Sequence, residues 1–324
     1  MRIAVTGSIA TDHLMTFSGR FSDSLLDGEL ETLSVSFLVD NLSIFRGGVA
    51  GNISFGLGQL GLRPALVGAV GADFADYRAW LERHNVDTES IHVADDLHTA
   101  RFVCTTDSAA NQIASFYPGA MALARAIELE PIAERLGGLD LVVIAPNDPE
   151  AMRRHTEECR KRGYAFAADP SQQLAYLDGD AIKELIDGAD YLFTNEYEAA
   201  LTQTKTGWTS DEIARRVGVR VTTLGAKGAQ IDVEGEPVVA VPAVPDVVCV
   251  DPTGVGDAFR SGFLAGIAHD LQLRRCAELG SLLAAEVLAT NGTQEYRIDH
   301  DRFLARCELH YGQLAREQIA TVLA

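Results

Sequence analysis

The sequence lacks the features that mark several protein classes. Lys and Arg number 27 against 46 Asp and Glu, and the formal charge of −19 argues against a nucleic-acid partner, because a phosphate backbone is bound by clustered basic residues. The five cysteines are odd in number, scattered and without C-x-x-C spacing, which is typical of reduced thiols and not of a disulfide framework or zinc site. No uncharged run approaches the ~20 residues of a membrane span, and the N-terminal residues do not resemble a signal peptide. These absences predict a cytoplasmic protein with neither a nucleic-acid nor a membrane partner.

Most of the chain alternates between apolar, β-prone runs and amphipathic helical patterns. With 324 residues, 47% of them apolar, one large domain with a smaller addition is the natural expectation. Strands are predicted over 3–7, 65–70, 141–145, 165–168, 190–193, 219–224 and 230–233. Helices are predicted over 53–60, 74–83, 149–162, 259–271, 273–288 and 303–323. This alternation predicts a mostly parallel sheet with helices on both faces, which is a three-layer α/β/α domain.

Two stretches interrupt this alternation and predict a separate small sheet. Leu33–Val39, Thr99–Thr106 and Gln112–Phe116 read as strands with one buried face. We expect them to form a small antiparallel sheet from two insertions, residues 13–46 and 98–117, with the α/β domain made of residues 1–12, 47–97 and 118–324. A sheet too small to cover its own apolar face needs a partner. We therefore expect a lid over the site that also contacts a second copy of the chain.

The most informative stretch is Asp251-Pro-Thr-Gly-Val-Gly-Asp257. Val247–Val250 before it is predicted to be a strand, and the helical pattern after it gives strand, glycine turn and helix. Backbone N–H groups of such a turn, together with the helix N-terminus, can hold an anion. A carboxylate at Asp257 would then act as a general base in phosphoryl transfer to a hydroxyl. The alternative is that Asp257 only caps the helix.

Other polar signals follow the ends of predicted strands, where ligands of open α/β sheets bind. Ser8 and Asp12 follow the first strand, and Gly47-Gly48 leads into a helix that carries Asn52, which can bind sugar hydroxyls. A surface turn with a cap explains Ser8 and Asp12 better on this evidence alone, and a glycine-rich packing turn explains Gly47-Gly48 equally well.

Two further signals suit a nucleotide. Asn195 and Glu198 share a helix face and could hold a hydrated Mg²⁺ near a triphosphate, although a capping box has the same spacing. Gly225-x-x-Gly228 would let the backbone pass close to a ribose and its phosphates, or would simply form a hairpin turn.

Taken together, these motifs resemble the signatures of the ribokinase-like (PfkB) carbohydrate and nucleoside kinases. Gly47-Gly48 with Asn52 matches the first signature loosely, and residues 251–257 match the second closely. The Asn195-x-x-Glu198 and Gly225-x-x-Gly228 pairs come in the family's order. The chain looks most similar to the actinobacterial-type adenosine kinases within this family.

The resemblance implies a role for each matched residue. Asp257 would be the base, and the amides of Gly254, Val255 and Gly256 would form the anion hole. Three groups would bind the substrates: Asp12, Gly48 and Asn52 on the ribose; Asn195, Thr223, Gly225, Gly228 and Gly256 on ATP; and Ser8, Ser36, Phe102, Phe116, Gln172 and Gln173 on the purine. Glu198 would support Mg²⁺ through water, and Asp251 lies where a K⁺ ligand would be.

The resemblance thus implies an adenosine kinase that uses ATP and Mg²⁺, responds to K⁺ and forms a homodimer through its lids. A kinase acting on ribose or fructose is the alternative within the family. A non-catalytic nucleoside sensor is the alternative from another class, although binding alone needs no base. A hydride-transfer enzyme is disfavoured because residues 7–12 contain no G-x-G-x-x-G motif.

Overall fold

The computed structural model describes residues 1–24 and 36–323. Its strands are β1 (Ile3–Thr6), β2 (Ala10–Thr16), β3 (Asn41–Gly47), β4 (Ala65–Gly71), β5 (Ile91–Ala94), β6 (Ala100–Thr106), β7 (Gln112–Tyr117), β8 (Leu141–Ile144), β9 (Phe166–Ala168), β10 (Tyr191–Asn195), β11 (Val219–Thr223), β12 (Ala229–Val233) and β13 (Val239–Val241). Its α-helices are α1 (Val49–Gln59), α2 (Ala75–Arg83), α3 (Glu130–Leu136), α4 (Pro149–Arg162), α5 (Gly179–Ile186), α6 (Glu196–Thr206), α7 (Ser210–Ala214), α8 (Val255–Ala268), α9 (Leu273–Leu288), α10 (His300–Tyr311) and α11 (Gln313–Ala320). Within these ranges no helix has both the length and the apolar character needed to cross a bilayer.

The large sheet has nine strands in the order β13-β12-β11-β10-β9-β8-β1-β4-β5. All neighbouring pairs from β11 to β5 are parallel, and only β12 and β13 join antiparallel. Successive residues of β1 point to opposite faces, because Ile3 and Val5 belong to one buried cluster and Ala4 belongs to another. Helices cover both faces, and the predicted three-layer α/β/α fold is confirmed.

The strand order places a crevice near the middle of this sheet. β1 lies between β4 and β8, so the chain proceeds from β1 to one edge and then returns to build the other half. Ligands of open α/β sheets bind at such a reversal, outside the carboxyl ends of the strands. The loops that follow β1, β8, β9, β10 and β11 all open on this edge.

A second sheet, which we call the lid sheet, has four strands in the order β3-β2-β6-β7. It is mixed and not antiparallel as expected, since β2 and β6 run parallel. Both strands leave the α/β domain in the same direction, and β3 and β7 return beside them. The sheet also begins earlier than residue 13, because Ala10 already pairs with Gly47.

Three sequence-based element predictions need correction. Residues 36–39, predicted as part of a strand, are not in one, and 33–35 lie outside the described residues. Val247–Val250 is not a strand either: Val250 N bonds to Leu288 O at the end of α9, and no neighbouring strand pairs with the segment. The helix predicted over 303–323 is divided in two at Gly312, whose φ of +88° ends α10.

Candidate active site

The stretch 251–257 forms a turn that leads directly into α8. Gly254, with φ +74°, occupies the N-cap position, and no side chain caps this helix end. The Asp257 carboxylate instead accepts a 2.8 Å hydrogen bond from Nδ2 of Asn52 on α1. Asp257 is therefore not the cap of its own helix, although its carboxylate belongs to the first turn of α8, whose N-terminus has no side-chain cap. This arrangement can place a base next to a bound anion.

The surroundings of Asp257 act on its pKa in opposite directions. Burial raises the pKa of this carboxyl, and the negative charge of Glu198 adds to that effect. The positive charge of Arg260 and the hydrogen bond from Asn52 lower it. The result is a pKa above the ordinary range of Asp, which brings the carboxylate closer to the basicity that a general base needs near neutral pH.

Two residues that the sequence reasoning did not single out fix the orientation of Asn52. Asn52 Oδ1 lies 2.8 Å from the hydroxyl of Thr293 and 2.9 Å from Nε2 of Gln294. Gln294 donates to this oxygen, while the one proton of the Thr293 hydroxyl has two acceptors at 2.8 Å, Asn52 Oδ1 and the carbonyl of Arg46. Because a carboxylate only accepts, the amide presents Nδ2 to Asp257. Gln294 also contacts the buried hydroxyl of Tyr77, which donates to the carbonyl of Gly47 over 2.9 Å. The sequence around them, Asn291-Gly292-Thr293, is that of a turn after α9 and gives no further signal of this role.

A second group missed from the sequence lies on the other side of Asp257. Asp169 follows β9 and is fully buried, with Oδ1 and Oδ2 at 2.7 and 2.6 Å from Nη2 and Nε of Arg260. Burial raises the pKa of Asp169, and the adjacent guanidinium opposes that rise. Arg260 follows Asp257 by nearly one turn of α8, and its Nη2 is also 4.0 Å from Glu198. In the sequence, Asp169 and Arg260 looked like ordinary loop and helix residues.

Asn195 and Glu198 form the capping box that their spacing also allowed. The Asn195 side chain accepts from the backbone N–H of Glu198, and the Glu198 carboxylate accepts from that of Asn195, each over 2.8 Å. The second Glu198 oxygen accepts from Ser171 over 3.3 Å. Three acidic or His ligands do not come together in the described part of the chain. Both Glu198 oxygens therefore take part in hydrogen bonds of the protein.

Four of the five predicted ATP residues line one pocket of about 470 Å³. Thr223, Gly225 and Gly228 line it from one side, and Val255 and Gly256 line it from the other. Its floor is largely apolar, with contributions from Val244, Phe259, Ala285 and Leu288. A pocket with an apolar floor and free amides at one end suits a nucleotide with its phosphates at the start of α8. Asn195 does not line this pocket.

Ser8, Asp12 and Gly48 meet where β1, β2 and α1 approach each other. The Ser8 hydroxyl accepts from the N–H of Val49 over 3.0 Å, so it caps α1. Gly48 has φ +86°, and a Cβ there would lie 2.5 Å from Ser8 O, which excludes any other residue. Burial, together with the negative charges of Asp251 and Asp257, raises the pKa of Asp12 to about 6. Asp12 therefore faces the same crevice as Asp257.

The predicted purine residues other than Ser8 lie in three places. Phe102 on β6 and Phe116 on β7 are cross-strand partners, and both align with Asp12 of β2 on one face of the lid sheet. Gln173 follows β9, and its Nε2 donates to the carbonyl of Asn147 over 2.9 Å, whereas Gln172 is exposed. Ser36 is exposed beside Phe37, whose ring stacks on Phe17 beyond the far end of β2. No described hydrogen bond joins Ser36 to the other predicted purine residues.

Asp251 has structural hydrogen bonds on both of its oxygens. Oδ1 accepts from Thr253 N over 2.9 Å, and Oδ2 accepts from Gly292 N over 3.2 Å. It thereby joins the turn before α8 to the segment that contains Thr293 and Gln294.

Comparison with known proteins agrees with this architecture. A nucleoside kinase of Burkholderia thailandensis, solved in complex with inosine, superposes with a TM-score of 0.82 at 36% identity, over 96% of this chain and 98% of that one. A nucleoside kinase of Methanothermobacter thermautotrophicus is 30% identical over 86% of this chain and 90% of its own length. The nucleoside kinase of Methanocaldococcus jannaschii, at 24% identity and a TM-score of 0.81, shares the fold. The pfkB carbohydrate kinase model matches residues 8–300, and the chain belongs to this ribokinase-like family of kinases.

Proposed function

We propose that this protein is an adenosine kinase that transfers the γ-phosphoryl group of ATP to the 5′-hydroxyl of adenosine, giving AMP and ADP. The observation that carries the proposal is the shared face of Asp12, Phe102 and Phe116 on the lid sheet. A polar group for a sugar and two aromatic rings for a flat base lie side by side in this arrangement. Relatives named nucleoside kinases, at 36% and 30% identity, support it.

Asp257 is the general base in this mechanism. It takes the proton of the 5′-hydroxyl while that oxygen bonds to the γ-phosphorus and the bond to the β-phosphate oxygen breaks, which releases ADP. The amides of Gly254, Val255 and Gly256 hold the charge of the transferring group, aided by the N-terminus of α8. The hydrogen bond from Asn52 holds the carboxylate in place.

The substrates bind on either side of this turn. Asp12, Gly48 and Asn52 hold the ribose hydroxyls, while Phe102 and Phe116 stack on the purine and Ser8, Gln172, Gln173 and Ser36 contact its edge. ATP occupies the pocket of about 470 Å³ that Thr223 lines, and Asn195 would contact ATP from outside that lining. A small sugar has no flat base to stack on two aromatic rings, so adenosine is favoured over ribose or fructose.

Two metal ions belong to the proposal. Glu198 would hold the waters of a Mg²⁺ ion, which would supply positive charge to the phosphates. K⁺ near Asp251 would stabilise the turn before α8, which predicts faster turnover in KCl than in NaCl. The Asp251→Asn variant should lose that difference, and a wild-type rate independent of the cation would remove K⁺ from the proposal.

A homodimer through the lid sheets is also part of the proposal. The face of the lid sheet opposite Phe102 carries the exposed apolar residues Leu42, Ile44 and Ile113, which are 51%, 57% and 54% exposed. A second copy would cover them. Ile44→Asp should then give a monomer in sedimentation velocity. Val238→Asp, at a residue 54% exposed outside the lid sheet, is the matched control. A wild-type monomer would contradict the dimer.

The first experiment measures ATP turnover with Mg²⁺ and K⁺ on adenosine, inosine, ribose and fructose. Asp257→Ala should lower adenosine turnover by ~10²–10⁴-fold, as the loss of a general base does. Asp301→Ala is the control, because Asp301 is an exposed acid in the first turn of α10.

Other outcomes select other functions. Turnover of inosine in preference to adenosine would mean that the protein is a nucleoside kinase with a different preferred base. Turnover with sugars alone would overturn the nucleoside proposal. Tight adenosine binding without turnover would indicate a sensor.

A further inference from the structure

We propose that Arg260 is a catalytic residue whose Nη1 atom donates hydrogen bonds to the transferring phosphoryl group. This inference rests on the proposed role of the turn 254–257 as the anion hole. It does not depend on which nucleoside is the acceptor.

The geometry divides the guanidinium into two parts. Nε and Nη2 form one edge, and that edge faces the two oxygens of Asp169 at 2.6 and 2.7 Å. Nη1 lies on the other side, where a Cβ built on Gly256 would be only 2.8 Å away. The remaining N–H groups of Arg260 are thus directed past Gly256, at the start of α8.

Nη1 also lacks a partner of its own. None of the described residues accepts a hydrogen bond from Nη1. Nε of the same side chain is fully buried and lacks a hydrogen bond, whereas Nη1 is not in that group of fully buried atoms. A guanidinium nitrogen that keeps solvent access next to the anion-hole amides can donate to an incoming anion. The side chain as a whole is only 8% exposed, so little water would screen that contact.

The surrounding charges explain why Arg260 is held so firmly. Asp169, Asp257 and Glu198 all lie around the one guanidinium. Asp169 is fully buried with both of its oxygens at Arg260, so its carboxylate positions that side chain. A planar, pre-oriented arginine suits a spreading phosphoryl charge better than a mobile lysine does.

During transfer, Nη1–H would donate to a non-bridging oxygen of the γ-phosphoryl group. The bond from the acceptor oxygen to phosphorus forms, the bond to the ADP oxygen breaks, and the acceptor proton goes to Asp257. Arg260 neither gains nor loses a proton. Its contribution is largest when the charge on the transferring group is most dispersed.

The test replaces Arg260 by lysine, which keeps a positive charge for Asp169 but has no second nitrogen at the position of Nη1. We expect kcat to fall by ~10²–10³-fold, as on loss of one transition-state donor, with KM for the nucleoside changed less than about threefold. The assay uses whichever nucleoside the wild-type protein turns over. Loss of adenosine preference would therefore not affect its interpretation.

Binding to a transition-state mimic separates contact from a structural role. Affinity for ADP with aluminium fluoride and nucleoside should fall in Arg260→Lys by about the same factor as kcat, whereas affinity for ADP alone should not. Arg220→Lys is the matched control, because Arg220 also presents Nε and Nη2 to one carboxylate, that of Asp232, at 3.2 and 3.0 Å. It should change neither quantity.

A second variant guards against misfolding, since a buried Asp169 without its arginine destabilises the protein. The double variant Arg260→Gln, Asp169→Asn replaces the ion pair by two neutral side chains that can hydrogen-bond to each other. It should show the same selective loss of affinity for the transition-state mimic. Retention of kcat within threefold in either folded variant would overturn the proposal. An equal loss of affinity for ADP and for the mimic would also overturn it.

Discussion

Nδ2 of Asn52 lies 2.8 Å from Oδ2 of Asp257, and this bond joins helix α1 to helix α8. The two residues are 205 positions apart in the sequence. A carboxylate only accepts and Gln294 Nε2 donates to Asn52 Oδ1, so the amide directs its N–H groups toward the carboxylate. The Thr293 hydroxyl lies 2.8 Å from the same oxygen and from the carbonyl of Arg46. The basicity of Asp257 therefore depends on residues that never contact it.

Thr293→Val tests this dependence with almost no change in side-chain volume. Losing the Thr293 hydroxyl beside Asn52 Oδ1 should lower the free-energy preference of the Asn52 amide for its present orientation by about 1 kcal/mol. We expect kcat to fall about 5- to 10-fold. The weaker hydrogen bond from Asn52 should raise the pKa of Asp257, so the acid limb of the kcat–pH profile should move to higher pH. Thr321→Val, which loses only a bond to Gln318 O, is the control. An unmoved acid limb would contradict the orienting role.

Asp12 should make nucleoside affinity depend on pH. Its pKa of about 6 means that the carboxylate that accepts from ribose hydroxyls is lost as pH falls below 6, so affinity should weaken about 10-fold per unit below that value. Calorimetric titration from pH 4.5 to 8 measures this. In Asp257→Asn the pH at which affinity begins to fall should be lower, because the charge of Asp257 helps raise the pKa of Asp12. Affinity that does not vary with pH would refute the role of Asp12.

The same raised pKa predicts an effect of Asp12 on stability. The folded protein binds the proton more tightly than the unfolded chain does, so this carboxyl makes the ligand-free protein less stable as pH rises from about 4 through about 6. Asp12→Asn should therefore increase the free energy of unfolding at pH 7 by about 1–3 kcal/mol, and the gain should disappear near pH 4. Urea unfolding at both pH values checks the sign. A loss of stability at pH 7 would refute it.

Gly225 and Gly228 should respond differently to the same substitution. A Cβ on Gly228 would lie 2.0 Å from Val241 O at a φ of +101°, whereas one on Gly225, at +58°, meets nothing within 4 Å. Gly228→Ala should displace the wall of the ATP pocket, raise KM for ATP more than about 10-fold and lower stability by about 1–3 kcal/mol. Gly225→Ala should cost about 1 kcal/mol with a small change in KM. Equal effects on KM would show that Gly228 does not shape this pocket.

Phe102 and Phe116 should control the affinity for the base. Alanine at Phe116 should raise the nucleoside KM about 5- to 100-fold if stacking on the base contributes ~1–3 kcal/mol, while KM for ATP stays unchanged. Steady-state kinetics with both substrates varied gives the two constants. A nucleoside KM that changes less than twofold would mean that the lid rings do not contact the base.

Local signals account for the elements that were predicted closely. The bounds of α4 agree with the sequence because Asp148 caps its start and Gly163 ends it at φ +70°. Val247–Val250 was misread, because β-branched residues favour a strand only where a neighbouring strand is available. Here two of them are exposed, Val248 at 74% and Val250 at 55%.

The sequence by itself determined the three-layer fold, the family and the turn that carries Asp257, because periodicity, caps and glycine spacing are local properties of the chain. Only the tertiary structure decided that Asn52 faces Asp257, that Thr293 and Gln294 orient it, and that Asp169 holds Arg260 beside Gly256. These contacts join residues of helices and loops that are 91 to 242 positions apart in the sequence. Their proximity follows from the order in which the parallel strands assemble, and no local pattern encodes that order.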